Sequence, residues 1–189
     1  NILPEAKFIA ILRNPIDRAF SNYLHILRHW EEPLSFEEAV RNEEKRIEEG
    51  LRPRRHYKRK GMYARQLKRY YAAFEREQIH VMLSEDLWDH PDQALRDTFQ
   101  FLRVEPDIPS IDLGRHNASG IFRSEHLRRL YESLKGEWRA AKPYVPNQVQ
   151  STLHALFMER PQMSDTARDF LREAYREEIR ELEELIDRN

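Results

Sequence analysis

Apolar positions along this chain alternate between unbroken runs and three- or four-residue spacing. Phe8-Ile-Ala-Ile-Leu12 is an apolar run with β-branched residues and predicts a buried strand. Asn14 and Pro15 follow as the cap and first residue of a helix. Ile16, Ala19, Phe20, Tyr23, Leu24 and Leu27 then recur at helical steps, predicting a helix over 15–30. Ser35-Phe-Glu-Glu38 reads as a capping box for a second helix that carries Phe36, Ala39, Val40 and Ile47 and stops at Gly50. A helix after Gly61 is predicted by Met62, Tyr63, Leu67, Tyr70, Tyr71 and Phe74.

Ile79-His-Val-Met-Leu83 predicts a second strand, parallel to the first because a helix intervenes, and Ser84-Glu-Asp-Leu87 begins a helical turn. Pro91, Ala94, Leu95, Thr98, Phe99 and Leu102 give an amphipathic helix packed on the sheet. Pro106 and Pro109 make 104–112 irregular, a polar stretch runs from Arg115 to Gly120, and a helix covers 125–134. Residues 136–163 read as a lid or connecting arm. A Ser164-capped helix spans 165–187, with Ala167, Phe170, Leu171, Ala174, Ile179, Leu182 and Ile186 as its apolar stripe. Arg168, Arg172, Arg176 and Arg180, interleaved with acids, make a solvated ladder on that helix.

The junction of the first strand and helix is the chemically loaded place. Arg13 stands at the carboxyl end of the strand, where open α/β sheets place ligands, and the helix start offers N–H groups and a positive dipole end. Arg18, Ser21, His25 and His29 share one helix face. That face is either a working surface or an ordinary solvated one, with Arg18 paired to a carboxylate.

Composition narrows the class. Hydrophobic residues make up 40% of the 189, which supports one globular domain over 1–189, and 34% charged residues imply a highly solvated, helix-rich surface. The net charge of −1 gives no global steering toward nucleic acid or membrane. With no cysteine there is no disulfide scaffold, thiolate nucleophile or Cys-based zinc site, and a reducing compartment fits. No apolar run is long enough to span a membrane. His25 and His29 stand four apart, but no Glu completes an H-E-x-x-H pattern and Arg28 adjoins them, which disfavours a metal.

One segment departs from neutrality: Arg52-Pro-Arg-Arg-His-Tyr-Lys-Arg-Lys60 holds six basic residues and no acid. It can line the mouth of a cleft and draw in an anion. It can also bind nucleic acid, with phosphates on the arginines and a base stacked on Tyr57, or be a flexible loop with no partner.

Arg13-Asn-Pro-x-Asp-Arg18-x-x-Ser21-x-Tyr23 after a strand resembles the 3′-phosphate-binding motif of the PAPS-dependent sulfotransferases, in the branch of bacterial and heparan-sulfate-type enzymes. Pro4-Glu-Ala-Lys7, Gly61-Met-Tyr63-x-x-x-Leu67, Ile79-x-Val81-Met-Leu83-x-Glu85-Asp-Leu87 and Phe101-Leu102 extend the likeness over 4–104. The resemblance implies a P-loop-NTPase-like α/β fold, a parallel sheet flanked by helices. By that likeness Arg13 and Ser21 hold the 3′-phosphate of PAPS, and the product PAP leaves from the same site. His25 and Tyr63 resemble acceptor-side residues, and Arg55 and Lys58 fall where the family places substrate contacts. Glu85 corresponds to a position of structural hydrogen bonding. Arg115, His116, Asn117, Ser119 and Arg123 are candidates for a loop over the nucleotide.

Members of that family begin with a strand and a Gly-rich phosphate loop, and the five glycines here form no such loop. Starting at Asn1-Ile-Leu-Pro4, the chain is expected to be the later two-thirds of an enzyme, with the catalytic base upstream. The implied activity is sulfuryl transfer from PAPS to a hydroxyl or amine, on a carbohydrate acceptor, in the bacterial cytoplasm. The alternative from a different class is a non-catalytic module that binds polyanions through 52–60. A P-loop kinase is disfavoured by the absence of a phosphate-loop lysine.

Overall fold

The computed structural model describes residues 4–29, 31–105, 121–159 and 161–187. The candidates Arg115, His116, Asn117 and Ser119 lie outside them. Strand β1 (Phe8–Leu12) leads into α1 (Pro15–Arg28), which starts where the sequence places it. The Asn14 side chain accepts from the Ile16 and Asp17 N–H groups at 3.0 and 3.3 Å, and Pro15 presets the first helical φ. Ile16, Ala19, Tyr23, Leu24 and Ile26 form its buried face.

The helix predicted over 36–49 is two: α2 (Phe36–Arg41) and α3 (Glu43–Glu48). Asn42 separates them with φ −92° and ψ 7°, its side-chain amide donating to the Glu38 carbonyl at 2.9 Å. A residue whose amide competes for backbone carbonyls ends a helix readily. Gly50 then turns the chain at φ 90°, a conformation that a side chain would strain. Two 3₁₀ turns, Pro53–Arg55 and Arg59–Gly61, carry the basic segment, and α4 (Tyr63–Tyr71) follows.

Strand β2 (Ile79–Leu83) pairs parallel with β1 in a register that sets Phe8 beside Ile79 and Leu12 beside Leu83. Helices α5 (Ser84–Asp89) and α6 (Pro91–Leu102) come next. The Phe8 ring meets Tyr70 and Phe74 beyond one face of the sheet, with centroids 5.7 and 4.4 Å away. On the other face, Phe101 of α6 stacks on His80 at 5.2 Å. That cover stops at β2, and Ile9 and Ile11 of β1 stay 41% and 56% exposed.

Residues 121–159, which include most of the stretch expected to be a lid or connecting arm over 136–163, are mainly helical. Strand β3 (Ile121–Phe122) pairs antiparallel with β4 (Met158–Glu159) and encloses α7 (Glu125–Ser133), α8 (Lys135–Ala141) and α9 (Asn147–Phe157). Ile121 packs against the main core.

The last helix, α10 (Asp165–Ile186), runs back over α1, α2 and α4. It contributes Ala167, Leu171 and Tyr175 to a core shared with α1, α2 and Tyr57. Arg172, Arg176 and Arg180 pair with acids three residues before them on the exposed face, as the sequence leads one to expect, whereas Arg168 of the same ladder reaches Asp17 of α1 at 3.8 Å. No described helix is long and apolar enough to cross a membrane.

Candidate functional site

The carboxyl ends of β1 and β2 open into a cleft of about 240 Å³. Leu12, Arg13, Asn14, Pro15, Gly61, Tyr63, Leu83 and Glu85 line it. The final turns of α10 close it with Glu178, Ile179, Leu182, Glu183 and Ile186. Crossover topology accounts for the place: both strands point their carboxyl ends the same way, and α1 begins beside them.

Arg13 is exposed and has no carboxylate partner among the described residues, although Glu85, Glu178 and Glu183 share its cleft. Glu178 instead pairs with Arg65 at 3.6 Å. The start of α1 differs from its sequence reading in one respect. Pro15 has no N–H, Ile16 and Asp17 bond the Asn14 side chain, and the Arg18 N–H bonds the Asn14 carbonyl at 2.9 Å. The first turn therefore offers an anion its dipole and little free N–H, so the guanidinium is the main handle.

Tyr63 is half-buried, and its hydroxyl lies against the Arg13 main chain without a hydrogen bond of good geometry. Burial pushes that phenol above its usual pKa, with Arg18 and Arg13 opposing. Glu85 is exposed in the cleft and, among the described residues, accepts only from the Ser84 hydroxyl at 3.0 Å. The structural hydrogen bond expected of it is made by its neighbour: Asp86 accepts the Leu83 N–H at 3.1 Å.

Other candidates fall elsewhere. Ser21 is half-buried on α1, about 9 Å along the helix from Pro15, and does not line the cleft. His25 is exposed about 15 Å along the same axis, its ring 5.2 Å from that of His29. No third metal-ligating side chain joins the pair among the described residues. Arg18 leaves the face assigned to it by spacing and sends its guanidinium to the Tyr57 carbonyl.

The basic segment is held in place rather than loose. Tyr57 is fully buried and donates to Glu32 at 2.6 Å, and Glu32 pairs with Arg46 at 2.9 Å. Its ring therefore cannot stack on a base. Glu43, also fully buried, accepts the Lys58 and Arg59 N–H groups at 2.8 and 2.7 Å. Burial still outweighs those contacts and raises the Glu43 pKa. Lys58 and Arg54 are neutralised by Glu44 and Glu31 at 3.1 and 2.6 Å. Arg55 is half-buried with its Nε unpartnered. Lys60 bonds the Arg54 carbonyl at 3.2 Å, and burial together with Arg18 lowers its pKa.

Sequence reasoning passed over Tyr175, which sits beneath the cleft and bonds the basic segment. Its signal was present, four residues after Leu171 in the apolar stripe.

A family model described as a sulfotransferase domain matches residues 2–184. Among solved structures, a sulfotransferase from Alicyclobacillus acidocaldarius matches with a TM-score of 0.67 and 31% identity. The match covers 98% of this chain and 56% of that one, so the chain spans little more than half of its length. A search of curated proteins finds no match.

Proposed function

Because the chain belongs to the sulfotransferase domain family, we propose that its cleft serves sulfuryl transfer from PAPS to a hydroxyl or amine acceptor. One observation carries the reading: at the strand end there is an exposed guanidinium with no carboxylate partner among the described residues, set beside the positive end of a capped helix. A surface arginine in a chain of 34% charged residues readily finds an acid, and three acids share this cleft. An arginine left unpaired there suits a phosphate dianion.

When bound, PAPS supplies the sulfuryl group. Arg13 holds its 3′-phosphate at the cleft; the Ser21 hydroxyl, its second ligand by the family motif, stands outside the cleft lining, further along α1. Tyr63 and the apolar edge of α10, Ile179 and Leu182, offer a surface to the acceptor. A carbohydrate is the acceptor class that the resemblance implies, and its C–H faces suit those side chains. His25 stands too far along α1 to share that surface, while Arg55 and Lys58 belong to the anchored segment next to it. The absence of cysteine and the bacterial origin of the structural neighbour support a bacterial cytoplasmic setting.

A polyanion module built on 52–60 is less well supported. Two of the segment's basic residues are already neutralised, and Tyr57 is sealed in the core.

Calorimetric titration with PAP tests the proposal. Wild type is expected to bind, and Arg13→Ala to bind roughly tenfold or more weakly, the scale of a charge-assisted contact. Its melting temperature should not move, because the side chain is exposed. Equal affinities, or no binding by the wild-type protein, would overturn the assignment.

A further inference from the structure

Behind Arg13, three segments meet at one buried hydroxyl. Tyr175, in the middle of α10, is fully buried and donates to the Lys58 carbonyl at 2.8 Å. Arg18, in the first turns of α1, lies against the same hydroxyl while its guanidinium reaches the Tyr57 carbonyl. A methyl group on Gly61 would stand 2.6 Å from the Tyr175 oxygen, 2.8 Å from the ring carbon that bears it and 3.0 Å from Pro15 Cβ. No side chain fits at 61, so the backbone there comes as close to α1 and α10 as glycine allows.

The place of this knot gives it a bearing on the cleft. Pro15 and Gly61 are cleft wall on one side of it, and each is followed or preceded within two residues by a polar cleft residue: Arg13 before Pro15, Tyr63 after Gly61. The helix that supplies the hydroxyl also supplies the far wall, beginning one turn later at Glu178. A side chain that joins these segments sets the distance between the guanidinium and the phenol. On the reading of the cleft as an anion site, we infer that Tyr175 is a positioning residue for it, a pin through the last helix that holds Arg13 and Tyr63 in register before a ligand arrives.

The physical basis is a single polar atom with three neighbours. Removing it takes from the Lys58 carbonyl one of its two donors, the other being the Gly61 N–H at 2.9 Å, and from Arg18 one of its two oxygen neighbours, the other being the Tyr57 carbonyl. The segments can then relax relative to each other, and ligand binding has to restore their arrangement at a cost in affinity. A tyrosine with a purely structural role would lower stability and leave affinity alone. Ser35 provides the structural comparison, since its side chain caps α2 by accepting the Glu38 N–H at 3.3 Å, and it neither lines the cleft nor belongs to the motif of α1.

The test compares Tyr175→Phe and Ser35→Ala in the full chain, by thermal melting and by calorimetric titration with PAP. Both variants should melt lower. Only Tyr175→Phe should bind PAP more weakly, by roughly tenfold, and only it should speed amide exchange over residues 13–18 and 61–64. If Tyr175→Phe does not melt cooperatively, Arg18→Lys takes its place with the same expectations, since an ammonium cannot serve both neighbours. Tyr175→Phe binding PAP like the wild type would overturn the inference while leaving the anion site standing. A wild type that takes up no PAP would overturn the reading of the cleft and the inference with it.

Discussion

Tyr63 keeps its hydroxyl out of water beside the Arg13 main chain with no partner of good geometry. Such a group costs free energy in the empty cleft, so Tyr63→Phe should leave the melting temperature unchanged or raise it slightly. A loss of more than about 1 kcal/mol in denaturant unfolding would show that the hydroxyl is bonded in solution. The neighbouring residues divide in how readable they were. Arg13 and Asn14 could be placed from sequence because strand, cap and proline are consecutive and act locally. Glu85 and Asp86 could not be told apart, since both carboxylates follow the same strand and only the turn geometry decides which one reaches the Leu83 N–H. Tyr175 was hidden for a different reason: its position in the stripe announces burial, while its partner, the Lys58 carbonyl, lies 117 residues away.

Among the elements, the basic segment shows most clearly what local pattern leaves out. Six positive charges within nine residues suggest a solvated loop, yet its conformation is set by two buried acids, Glu32 and Glu43, that look like surface charges in the sequence. Nothing in their own spacing marks them, because the loop that carries Glu32 and the helix α3 that carries Glu43 meet the segment only in the folded chain. Glu43 makes the arrangement measurable. Burial raises its pKa in the folded state above the usual 4.5, against the pull of the Arg59, Lys58 and Tyr57 backbone N–H groups and the Lys58 charge. The folded state then binds this proton more tightly than the unfolded one. Its contribution to stability is fully present below 4.5 and is lost as the pH rises through the raised folded value. Gln at this position has no proton to lose. The stability of Glu43→Gln relative to wild type should therefore improve from pH 4.5 to pH 7, whatever constant offset the amide introduces. Urea unfolding of both proteins at the two pH values checks this, and a difference that stays flat or moves the other way would show that Glu43 is ionised at no cost inside the fold.

At the scale of the whole molecule, the sequence announces a sheet with helices around it, and the parallel register of β1 with β2 follows from the intervening helix. What it does not announce is how unequally the two faces are covered. A parallel strand written Phe-Ile-Ala-Ile-Leu reads as buried on both sides, the usual state of such sheets. Here α4 and the cleft cover the face of Phe8 and Leu12, while α6 reaches only the β2 half of the other face. Ile11 is thus 56% exposed beside a Leu12 that is 6% exposed, although both belong to one apolar run. The two neighbours should respond very differently to truncation. Leu12→Ala removes packed methyl groups behind Arg13 and should cost about 2–5 kcal/mol. Ile11→Thr keeps the β-branch at a position half in water and should change stability by about 0.5 kcal/mol or less. Urea unfolding of the isolated chain separates the cases, provided that the dependence on denaturant stays the same in both variants. A loss on Ile11→Thr as large as that on Leu12→Ala would show that in solution the open half of the sheet is packed against something, and the face would have to be counted as core.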